Sequence, residues 1–306
     1  MPNLDPPVTT TRQALAYRER ILAAVPAPMC FEPLMTLYLT QQTTLAEVGR
    51  AKESGFIYGL KLYPAGVTTH SVAGVKEIGR TYRTLEALQD NGIPLLVHAE
   101  SMDPGVDIFD AERVFIEQDL DPVVARFPAL RIVIEHVSTR EGVDYVIQAP
   151  ATVAATITAH HLLLNRNALF EGGLHPHHFC RPVLKRERHR QALVAAATSG
   201  SPKFFVGTDS APHARSFKEA ASGSAGVFTA YAAPALYAEV FEAADALDHL
   251  EAFLSFNGPD FYGLARNPGT LCLEREPHAV PDEMALGDQV VVPFRAGESV
   301  CWSIVS

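Results

Sequence analysis

Cysteine is scarce and scattered in this chain: Cys30, Cys180, Cys272 and Cys301 are the only four among 306 residues, and no two form a CxxC pair. That pattern argues against a disulfide frame or a thiolate zinc site and for reduced thiols in a cytoplasmic protein. Basic charge is also in deficit, with 25 Lys and Arg against 35 Asp and Glu, for a net charge of −10. Nucleic acid, which needs a basic footprint, is not an expected partner. An anionic substrate would have to be held by local positive charge. No apolar run reaches membrane-spanning length, and Met1-Pro2-Asn3-Leu4-Asp5 has neither a basic n-region nor an apolar h-region. Neither membrane association nor export is expected. Low-complexity linkers are missing too, so residues 1–306 read as a single domain. With 47% apolar and 20% charged residues, the chain can bury a core the size of an α/β barrel.

What the chain does have is regular punctuation. Four apolar runs each stop on a residue type that binds metal: GLK at Lys61, LLVH at His98, IVIEH at His136 and FFVGTD at Asp209. The separations are 37 (98 − 61), 38 (136 − 98) and 73 (209 − 136), the last about twice the others. A strand plus a crossover helix fits that period. The four residues are therefore expected at the same end of one parallel sheet, where the strands of a (β/α)8 barrel converge on a pocket. A metal-dependent hydrolase is the leading reading.

Periodicity and breakers place the elements between. A helix is expected over 11–25 before Pro26-Ala27-Pro28, a strand over 31–40, a helix over 45–54 closed by Gly55, and a strand over 56–61. A helix near 78–89 stops at Asn91-Gly92, a strand runs from Ile93 to His98, a helix covers 110–127 and a strand 130–136. Residues 154–158 supply the strand that the doubled gap requires. A helix over 191–198 leads into a strand over 203–209, helices near 228–244 and 247–254 follow, and the tail holds short strands such as 289–294. These make six barrel strands, whereas a closed barrel of this type has eight. The expected fold is α/β, a (β/α)8 barrel truncated at its N-terminus, with the first strand and most of the second missing.

Taken singly, each candidate has a plainer reading. Lys61 reads as a solvated strand end, His98 and His136 as hydrogen-bonded structural imidazoles, and Asp209, ahead of Ser210-Ala211-Pro212, as a helix cap. Their common register is what favours a shared role. His160-His161 and the cluster His175, His177 and His178 are set aside, because HPHHF falls in an expected loop without a carboxylate. His70 and His278 are expected at the surface, and Lys185-Arg186-Glu187-Arg188 on a solvated face.

Longer blocks then occur in order: MPNLDPPVTT, KLYPA with the following TT, LLVHAE, EHVSTREGVDYV, ATIT followed by HLLLNRN, PVLKR, GTDSAPHARSFKE and FNGPDFYGL. Together they resemble the bacterial class II dihydroorotases of the amidohydrolase superfamily, from Met1 almost to the last residue. The resemblance implies a zinc (β/α)8 barrel, commonly a homodimer, that interconverts N-carbamoyl-L-aspartate and L-dihydroorotate in pyrimidine synthesis. It makes Lys61 a carboxylated lysine bridging two zinc ions, with His98 and His136 on the more exposed ion. Asp209 becomes a ligand of the more buried ion and the catalytic acid/base. Asn3 and His213 would hold the substrate carboxylate, while Arg181, Ala225 and Gly226 would flank the pyrimidine ring. Thr68 and Thr69 would form the tip of a mobile loop. Hydantoinases and allantoinases also use a carboxylated lysine; Asn3, the TT loop and GTDSAPHAR favour dihydroorotate.

The family's first strand ends in a His-x-His pair for the buried zinc, with an arginine shortly after. Neither occurs near the start of this chain, and His175-Pro176-His177 lies far downstream. The residues present supply Lys61, His98 and His136 to one ion but only Lys61 and Asp209 to the other. One reading is translation assigned to an internal methionine, with Met1 inside the second strand. The other is a catalytically inactive dihydroorotase-like scaffold. Retention of all four remaining ligands favours the first.

Overall fold

Amphipathic helices alternate with short, largely apolar strands, giving an α/β chain with six parallel strands taken in sequence order. The computed structural model describes residues 2–305; Met1, which the sequence reading puts inside a strand, lies outside them. Contacts divide the chain into one unit of residues 1–135 and 149–153 and another of 136–148 and 154–306.

In the first unit, α1 (Thr11–Ala23) opens on a reciprocal capping box between Thr10 and Gln13. Strand β1 (Met35–Leu39) is shorter than the expected 31–40, because Pro33 has no N–H for a ladder and Phe31 is exposed. Helix α2 (Leu45–Ser54) is capped by Thr44 and ends on left-handed Gly55. After β2 (Ile57–Leu62), a 3-10 turn leads into α3 (Tyr82–Asn91), which ends on left-handed Gly92. Strand β3 (Leu95–Val97) precedes α4 (Ala111–Phe115) and α5 (Asp121–Arg126), with a π turn at Ile116–Leu120 between them. The expected continuous helix over 110–127 is thus interrupted just before Pro122, which lacks the N–H that the helical ladder needs. Strand β4 (Ile132–Ile134) completes the set. Tyr38, Lys61, Leu96 and Val133 align across β1 to β4. Leu37, Leu60, Leu95 and Ile132 are wholly buried, the pattern of a parallel sheet covered on both faces.

The second unit contains α6 (Arg140–Gln148), all but the first residue of β5 (Val153–Ile157), and α7 (Ala159–Leu163). The last was not expected, although Thr158 caps it. Helix α8 (Glu187–Ala197) starts a turn earlier than expected and leads into β6 (Phe204–Val206), which pairs in parallel with β5. A short α9 (Arg215–Lys218) precedes α10 (Ala233–Ala243), whose start is delayed to the first turn that admits Pro234. The expected 247–254 helix divides into a 3-10 turn at Leu247–His249 and a π turn at Ala252–Phe256, ahead of α11 (Asn257–Tyr262). Three antiparallel two-stranded ribbons form the tail. Among the described residues, no helix is long and apolar enough to cross a membrane.

Candidate active-site and metal-ligand residues

Register explains how the first unit gathers its candidates. Side chains alternate along a strand, so Lys61, aligned with Leu96 and Val133, shares a face with Tyr63, His98 and Glu135, each two positions further along. Lys61 is 3% exposed and ion-pairs with Glu135. Its Nζ lies 5.1 Å from the centroid of the Tyr63 ring, and the His98 ring is 6.0 Å from the same centroid. His98 Nε2 sits 2.6 Å from a carboxylate oxygen of buried Glu100. A carboxylate there takes the Nε2–H and leaves the lone pair on Nδ1, the arrangement by which carboxylates orient metal-binding imidazoles.

The same network reaches two further candidates. Tyr63 Oη donates to Asn3 Oδ1 at 3.0 Å, and Asn3 Nδ2 donates to the Thr69 carbonyl at 3.0 Å. The loop is closed on itself, with the Thr68 N–H donating to Ser71 Oγ at 2.8 Å. Tyr38 meets Tyr63 edge-on at 5.2 Å, and burial pushes its hydroxyl up to about 12. A cavity of about 510 Å³ is lined by Glu100 with Leu62, Met102, Phe115 and Asp119 among others, and by none of the sequence-predicted residues.

In the second unit, His136 (φ 46°) and Asp209 (φ 39°) are two of the five described non-glycine residues with positive φ. Such backbone strain collects at functional positions and breaks the simple alternation of a strand end. Buried His136 donates its backbone N–H to Thr156 Oγ1 on β5 at 2.8 Å. Gly207 makes room for that threonine: a Cβ at 207 would stand 2.4 Å from Thr156 Cβ. Beyond Asp209, Ser210 bridges to Val227, and its Oγ accepts the N–H groups of Thr229 and Ala230 at 3.0 and 2.9 Å. This brings Gly226 against His213, where a Cβ on the glycine would come within 2.9 Å of the imidazole.

Lys218 joins the remaining candidates. Its buried ammonium donates to the carbonyls of Phe179, Ser224 and Gly226 at 2.8, 2.9 and 2.7 Å. The segment carrying Arg181 is thereby tied to that carrying Ala225 and Gly226. Burial pushes this ammonium down to about 8. Sequence reasoning missed Lys218 because a lysine in a polar block reads as solvated.

Lys185 corrects the solvated-face expectation. It is 4% exposed, since Lys185 and His189 turn inward while Arg186 and Arg188 face out. His175, His177 and His178 lie around a 3-10 turn and bond to separate groups: the Glu171 carbonyl, the Glu219 carboxylate and the Ala168 carbonyl. His70 and His278 are exposed.

Comparison with known proteins adds a separate line of evidence. Residues 1–300 match the model of the amidohydrolase family. A dihydroorotase of Cupriavidus necator is 62% identical over 302 residues, covering 99% of this chain and 88% of the relative. One of Nitrosococcus oceani is 60% identical over 304 residues with the same coverage. The structure of dihydroorotase from Campylobacter jejuni superposes with a TM-score of 0.91 at 36% identity, covering 100% of this chain and 87% of that one. Dihydroorotase from Saccharomyces cerevisiae, in complex with 5-fluoroorotic acid, gives 0.91 at 33%, covering 100% and 88%. An L-hydantoinase from Arthrobacter aurescens reaches 0.79 at 17% identity, a likeness of fold alone; it covers 100% of this chain and 74% of that one.

Proposed function

The chain belongs to the dihydroorotases of the amidohydrolase family, and from that premise we propose that it interconverts N-carbamoyl-L-aspartate and L-dihydroorotate in pyrimidine synthesis, using a zinc centre at the mouth of a (β/α)8 barrel. The observation that carries the reading is 62% identity across 99% of the chain. Lys61, as its carbamate, together with His98, His136 and Asp209, is the ligand set. The imidazole and oxygen donors suit zinc, and the Glu100–His98 contact supports it. Bound zinc would bring the pKa of the attacking water to about 7 and polarise the scissile carbonyl.

Asp209 takes the proton from that water and delivers it to the departing amide nitrogen; ring closure runs the same transfers backwards. Asn3 and His213 hold the substrate carboxylate, which answers the need for local donors in a chain of net charge −10. Arg181, Ala225 and Gly226 flank the ring, and the Thr68–Thr69 loop closes over it. The assembly is a homodimer.

Purified under carbon dioxide and loaded with zinc, the protein should turn over L-dihydroorotate and N-carbamoyl-L-aspartate but neither hydantoin nor allantoin. Asp209→Asn should lower kcat about a hundredfold or more. Turnover of hydantoin without dihydroorotate would remove the substrate assignment, and an unchanged rate in the variant would remove the role of Asp209.

A further inference from the structure

His160, which the reaction does not use, is 1% exposed, and neither of its ring nitrogens has a hydrogen-bond partner. A buried imidazole with no partner in the protein needs one from outside it, an ion or a bound water. Its surroundings supply the rest of a donor set. The His161 ring lies 4.7 Å away, centroid to centroid, and the sulfur of Cys180 is 3.9 Å from His161 Nε2. One ligand atom from each of the three lies within 4.8 Å of the others, and all three residues are buried. The carbonyl of Pro182 stands beside two of them, 3.0 Å from His161 Nε2 and 3.1 Å from Cys180 Sγ.

We propose that His160, His161 and Cys180 form a second, structural metal site that takes a zinc ion, separate from the Lys61–Asp209 centre. Two imidazoles and a thiolate without a carboxylate favour a borderline-soft cation over magnesium or calcium. Burial of all three donors suits a closed site, with the Pro182 carbonyl nearest to the fourth position. Binding exchanges protons in a balanced way. The Cys180 thiol releases its proton to solvent as sulfur bonds to zinc. His161 keeps its single proton but carries it on Nδ1, donating to Thr158 Oγ1 at 2.7 Å, so that Nε2 turns its lone pair to the ion. The ion would staple α7 to residues 180–182, which carry Arg181.

Cobalt titration of the whole protein tests this, because a thiolate ligand gives a near-ultraviolet charge-transfer band that imidazole and carboxylate ligands do not. The wild type, with its thiols reduced, should develop the band at stoichiometric Co2+. The Cys180→Ser variant should lose it. His160→Gln, which keeps the volume of the site, should need at least tenfold more cobalt. His98→Ala should keep it, which separates this site from the catalytic reading. Circular dichroism would show that each variant is folded. No band in the folded wild type, a band that survives Cys180→Ser through Cys30, Cys272 or Cys301, or a titration unchanged in His160→Gln would each overturn the proposal.

Discussion

Glu100 lies two residues beyond His98, and its carboxylate turns back onto that imidazole at 2.6 Å in a pocket where Glu100 itself is wholly buried. Burying a carboxylate is costly unless it is bonded, and this one fixes the tautomer of a proposed zinc ligand. Glu100→Gln keeps the shape but replaces a charged acceptor with a neutral amide. Zinc affinity should fall about 10–100-fold while the fold is retained, read as zinc bound in competition with a chromophoric chelator. Unchanged affinity would show that the Glu100 charge does not tune a zinc ligand at His98. His98 was legible as the stop of an apolar run. Glu100 was not, because nothing in LLVHAE shows a side chain turning back on its neighbour. Lys218 and Lys185 were hidden for the opposite reason: charge in a sequence reads as solvent exposure, and only packing shows an ammonium held by carbonyls or turned inward.

Gly207 joins β6 to Asp209 and leaves the space that Thr156 of β5 fills. A methyl group at 207 would meet three side-chain atoms of Thr156, at 2.4, 2.7 and 2.8 Å, and Thr156 is also what holds the His136 backbone. Gly207→Ala should therefore destabilise the protein by about 1–3 kcal/mol, seen as a lower Tm. Adding Thr156→Ala should recover part of that loss, since contacting sites are not additive. Additive losses in the double variant would remove the steric explanation. Most elements were legible at this scale, because Gly55 and Gly92 stop helices where left-handed backbone is needed. The misses have local causes. Pro33, Pro122 and Pro234 shortened or interrupted runs that periodicity alone extended, and the five-residue helix α7 is too brief to show a period. Cysteine spacing alone does not register two histidines meeting a cysteine 19 residues after the second, so the proposed His160–His161–Cys180 site lies outside what that reading could address.

Family membership applies to the chain as a whole, but metal occupancy depends on which donors the chain carries. On the proposed reading, residues 1–306 offer Lys61, His98 and His136 to one zinc ion and Lys61 with Asp209 to a second. Three protein ligands are enough for a catalytic zinc that keeps an open position; two hold an ion weakly. In a Cys180→Ser background, which removes the proposed structural site, the desalted protein should retain one zinc per chain by metal analysis. Activity should then rise as free zinc is added and the second position fills. Chelation should abolish turnover. Lys61→Ala, which removes the shared ligand, should prevent its recovery at any zinc concentration. Two ions retained after desalting would mean that donors beyond Lys61 and Asp209 complete the second position. No zinc retained by protein prepared under carbon dioxide would mean that Lys61, His98 and His136 do not share an ion, and the ligand assignment would fall with it.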